Sequence, residues 1–74
     1  MTTRIDIYKK EVNKEKYDLK VSMPIERIGV IPRIGERIIE LESMINGVVI
    51  YITHIVDTKH DTQKINIIYE ERED

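Results

Sequence analysis

Fifteen isoleucines and six valines stand in this chain of 74 residues, and there is no alanine. That imbalance constrains the fold more than any motif does. Isoleucine and valine lose side-chain freedom in a helix and pack well on a pleated surface, whereas alanine is the strongest helix former. The chain therefore leans towards β structure. Apolar residues make up 41% of it, enough to build a core, so its middle reads as folded despite 35% charged residues. The only aromatic side chains are four tyrosines, so that core must be aliphatic. Seventy-four residues make one domain near the lower limit of independent stability.

The alternation of polar and apolar residues places the strands. Ile5 and Ile7 share one face of residues 3–8, opposite Arg4, Asp6 and Tyr8. Residues 9–16 are polar and read as a solvated loop. Tyr17, Leu19, Val21 and Met23 alternate inward over residues 17–23. Residues 24–36 hold both prolines and two of the three glycines, yet also Ile25, Ile28, Val30, Ile31 and Ile34. They read as a packed connection across an open end of a sheet or barrel. Residues 37–45 fit a strand with Ile39 and Leu41 inward and Ile38 breaking the alternation, and a short helix at 36–45 is the competing reading, because Ile34, Ile38, Leu41 and Ile45 also recur at helical spacing. Asn46-Gly47, a strong hairpin signal, favours the strand. Residues 48–56 are apolar on both faces and suit either a central strand covered on both sides or one long bent strand shared by two halves of a small barrel. After a polar tip at 57–63, residues 64–70 form a last strand with Ile65, Ile67 and Tyr69 inward.

Domain organisation follows: residues 1–70 form one small β domain, and residues 71–74 an acidic C-terminal tail. The last five residues carry a net −3, leaving the body of the chain at +1. A nucleic-acid binder ordinarily has a basic surplus, so nucleic acid is disfavoured as a partner. No stretch approaches the ~20 apolar residues of a membrane span, and no signal-peptide layout is present, which points to a cytoplasmic protein without membrane contact.

Ile31-Pro32-Arg33-Ile34-Gly35-Glu36, followed by a strand, a short glycine-containing turn, residues 49–56 and a last strand, resembles the layout of small SH3-like barrels. It is similar to short bacterial and prophage proteins carrying the same turn, over roughly residues 31–70. The resemblance implies a mainly β, five-stranded SH3-like barrel. Peptide-binding SH3 domains use clustered aromatics in a groove. This chain departs from them in having no Trp or Phe.

Candidate chemistry is sparse. His54, Asp57, His60 and Asp61 are competent metal ligands but match no compact motif, so no metal is expected. Ser22 and Ser43, the only serines, sit in no nucleophile context, and no catalytic residues or cofactor are expected. Arg27, Arg33 and Arg37 offer planar forks for an anion, with Tyr51, or else Tyr8, Tyr17 or Tyr69, available to stack on a base. The competing reading pairs these arginines with Glu26, Glu36 and Glu40 on the surface. The leading functional expectation is a non-enzymatic interaction module, phage- or mobile-element-encoded, that binds a protein partner or itself as a homo-oligomer through a strand edge or the apolar 24–36 face. The alternative is a phage protein that sequesters a small anionic ligand, a signalling nucleotide, to inhibit host defence.

Overall fold

The computed structural model describes residues 2–11 and 13–72. Five strands form one mixed sheet: β1 (Thr2–Lys10), β2 (Tyr17–Pro24), β3 (Arg37–Glu40), β4 (Ile45–Asp57) and β5 (Thr62–Glu71). Their order is β2-β1-β5-β4-β3. β1 and β5 run parallel at the centre, with Ile5 beside Ile65 and Ile7 beside Ile67, and the remaining pairings are antiparallel. The sheet curls into a half-barrel, so the chain is mainly β and barrel-like. Its concave face holds the core: Ile5, Ile7, Ile38, Ile45, Val49, Ile65, Ile67 and Tyr69. Ile5, Ile7, Ile65, Ile67 and Tyr69 are the inward positions of the period-2 pattern, buried because a strand projects alternate side chains to one side; on β3 the buried residue is Ile38, and Ile39, which alternation pointed inward, is 59% exposed.

Four sequence readings need correction. Residues 36–45 contain no helix; Arg37–Glu40 is a strand, and Leu41–Met44 forms the turn. That turn replaces the one expected at Asn46-Gly47, which lies inside β4, where Gly47 pairs with both Ile38 and Glu71. Glycine is needed there for space rather than for a turn: a β-carbon would overlap the Glu70 carbonyl oxygen and come within 2.6 Å of Tyr69 Cδ2. The left-handed turn position falls instead on Met44, at φ 57°. In β2, Val21 and Met23 pack against the core, but Tyr17 and Leu19 are about half exposed. The register shifts opposite Ile7/Tyr8 and leaves Lys20 unpaired, so this bulge turns the first half of the strand over. A matching bulge at Ile50 breaks β4, and beyond it Tyr51, Ile55 and Val56 are exposed rather than covered on both faces.

The 24–36 connection begins with a single 3₁₀ turn, Ile25–Arg27. Ile25, Ile28 and Ile31 pack on the core as expected, while Val30 and Ile34 face solvent. The end of the connection docks on β4: Gly35 N–H donates to the Val49 carbonyl at 2.8 Å, and Val49 N–H donates to Glu36 at 2.9 Å. Gly35 adopts φ 93°, a conformation glycine reaches without steric cost.

Candidate functional site

Because the sheet is open, its two edge strands, β2 and β3, are not paired with each other. Between them, beneath the 24–36 connection, lies a groove of about 650 Å³. Ile7, Val21, Met23 and Ile38 contribute apolar surface from the sheet, and Ile28, Val30 and Pro32 from the connection. Arg27, Arg37, Glu40 and Glu42 bring both signs of charge to the same groove.

Two of these charged groups, Arg37 and Glu40, have local work. Arg37 donates from Nε and Nη2 to Asn46 Oδ1, at 3.2 and 2.7 Å. Glu40 accepts the backbone N–H groups of Ser43 at 2.7 Å and Glu42 at 3.2 Å, closing the β3–β4 turn. Hydrogen bonding from the Ser43 side chain and these backbone groups holds the Glu40 carboxyl below its usual range.

The arginines read from the sequence separate into two places. Arg27 and Arg37 line the groove. Arg33 sits in the turn before β3, where its backbone N–H donates to Glu36 Oε1 at 2.6 Å and Glu36 N–H returns to the Arg33 carbonyl at 3.0 Å. Tyr51 is on β4 and 60% exposed, and does not line the groove.

Around β3 the surface is unusually apolar. Val30, Leu41 and Met44 are each more than 80% exposed, and Ile34 and Ile39 about 60%. All five fall within residues 30–44. The sequence did not indicate them: alternation pointed Ile39 and Leu41 inward, and Val30 and Ile34 were placed in the packed connection, yet all four are exposed. Scattered exposed apolar residues need no explanation; several collected beside an unpaired strand edge do.

The convex face carries a polar cluster that the sequence did not single out. Asp6, read as solvent-facing, is 7% exposed. Ser22 Oγ donates to its Oδ1 at 2.6 Å and Lys64 Nζ meets its Oδ2 at 3.1 Å. Burial alone would raise the Asp6 carboxyl, but the hydrogen bonds from Ser22 and Lys64, with the charges of Lys64 and Arg4, bring it below its ordinary value. Beside it in β5, the Asn66 side-chain oxygen is buried without a hydrogen-bond partner among the described residues.

Of the candidate ligands for a metal, His60 Nδ1 and Asp57 Oδ2 lie 2.7 Å apart in the β4–β5 turn. His54 is back along β4, its Nδ1 3.5 Å from Gln63 Nε2. Among the described residues no three His, Cys, Asp or Glu side chains gather as a metal site would require. Nor is any helix among them long and apolar enough to cross a membrane.

The fold and groove define an open β half-barrel with a free apolar edge. No protein-family model, curated protein or solved structure matches the chain.

Proposed function

We propose that this protein is a non-enzymatic interaction module that captures an extended segment of a protein partner along the β3 edge. The observation that carries this reading is the group of exposed apolar residues at 30–44, beside an edge strand and an apolar groove. A strand laid against β3 would bond to its outward backbone groups, which supply affinity, while alternate side chains enter the groove and supply specificity. The preferred segment is extended and aliphatic, with a polar residue able to meet Arg27 or Glu42 at the groove wall.

Selection of peptides from a random display library on the immobilised chain tests it. Wild type should enrich extended aliphatic segments, and Ile39→Lys, a change at an exposed position, should abolish that enrichment while leaving the fold intact by circular dichroism. No enrichment by wild type, or equal enrichment by Ile39→Lys, overturns the reading.

Arg27 and Arg37 in one groove favour a second reading, binding of a small anion such as a signalling nucleotide. Its test is titration calorimetry with mononucleotides and cyclic dinucleotides: Arg27→Glu should remove the heat seen with wild type, and the absence of any heat with wild type discards it.

A further inference from the structure

The opposite edge of the sheet carries a pattern that fits itself. Among the described residues no strand pairs with the outer side of β2, and Tyr17 and Leu19 in it are 50% and 54% exposed. Glu11 N–H donates to the Lys16 carbonyl, so the backbone groups of residue 16 point towards β1. By alternation those of Asp18 do the same, and those of Tyr17 and Leu19 point out to the free edge.

An antiparallel partner centred on Leu19 would therefore exchange both backbone hydrogen bonds with it. If that partner is a second copy related by a two-fold axis, Leu19 faces Leu19, Asp18 faces Lys20, and Lys20 faces Asp18. The order acid, apolar, base over residues 18–20 is what reciprocal charge pairing about a two-fold requires.

From this geometry we infer that the chain forms a two-fold homodimer by antiparallel pairing of β2 with β2 of a second copy, centred on Leu19. The bulge at Lys20 and the proline at position 24 limit how far the ladder extends. The contact consumes the same edge in both copies, so it closes as a dimer and leaves both β3 edges open. It uses a different surface from the β3 reading above, and either can fail without the other.

The chain has no cysteine, which gives a direct test. Residues facing each other in a hydrogen-bonded antiparallel pair have Cα atoms about 5.5 Å apart, within disulfide reach. Leu19→Cys should oxidise to a covalent dimer in air, whereas Ser43→Cys, far along the sheet, should not. Sedimentation equilibrium supplies the second arm. Wild type should dimerise, Asp18→Lys and Lys20→Asp should each weaken the dimer about tenfold or more, and the double swap should restore it. A wild type that stays monomeric across the concentration range overturns the inference. So do single swaps that leave the dimer intact, a folded double swap that does not restore it, or Ser43→Cys cross-linking as readily as Leu19→Cys.

Discussion

Gly47→Ala is the substitution whose effect the structure specifies most sharply. A single methyl group at this point of β4 would overlap the Glu70 carbonyl oxygen and press on the Tyr69 ring. Neither obstacle yields easily. The carbonyl belongs to a paired central strand, and the ring is 1% exposed within the core. Adding volume where packing is complete costs about 1–3 kcal/mol, and a backbone obstacle puts this case at the upper end. Restricting the unfolded chain returns about 0.4–1 kcal/mol. The net loss is about 2 kcal/mol, against a total of roughly 4–11 kcal/mol for a chain of this length. At ~4–8 °C per kcal/mol for a small domain, the melting temperature should fall by roughly 8–16 °C. Urea denaturation followed by far-ultraviolet circular dichroism measures it. A variant within about 0.5 kcal/mol of wild type would refute the pairing of Gly47 between Ile38 and Glu71.

Met44→Gly should stabilise the protein by about 0.5–1 kcal/mol, since Met44 holds a left-handed conformation that glycine adopts freely; destabilisation in the same urea assay would place the turn elsewhere. Asp6→Asn probes the convex cluster through pH. Because the folded Asp6 carboxyl is below its ordinary value, its stabilisation is complete above about pH 4 and disappears as pH falls through the folded value. The stability gap between wild type and Asp6→Asn should therefore close in acid; a gap that does not depend on pH contradicts the Ser22 and Lys64 contacts. At the alkaline end, the Glu71 hydrogen bond raises Lys9, the Asp6 hydrogen bond raises Lys64, and burial raises Tyr69. Stability should hold below about pH 10 and fall as pH rises through those higher folded values; flat stability to about pH 12 would be the contrary result. Ile67→Ala, at a fully buried site in the central strand, should cost about 2–5 kcal/mol by thermal melting, and a loss under about 1 kcal/mol would argue against its place in the core.

The strands were legible where alternation was clean. Ile5 and Ile7, and Ile65, Ile67 and Tyr69, sit on the buried face that their period-2 spacing indicates. The misreadings share one cause, which is that a bulge or a steric contact is not written locally. Nothing within residues 17–23 announces that Lys20 is the extra residue; its unpaired state follows from where β1 places Ile7 and Tyr8. Asn46-Gly47 carries a turn signature, yet what selects glycine there is Tyr69 and Glu70, more than twenty residues away in sequence. Of the site, Arg27 and Arg37 could be read as candidates, and the groove they line requires the curl of the sheet. The exposure of Val30 and Ile34 was hidden because composition marks them as core material, and only the path of the connection turns them outward.

The proposed capture of a strand requires that the half-barrel be open along β3. Amide hydrogen exchange followed by NMR tests this without a partner. The open sheet predicts slow exchange at every paired amide of β1 and β5, which are flanked on both sides, and fast exchange at alternate amides of β3, whose outer side faces solvent. Uniform protection along both β2 and β3, with cross-strand contacts joining them, would mean a closed barrel and would remove the proposed binding edge.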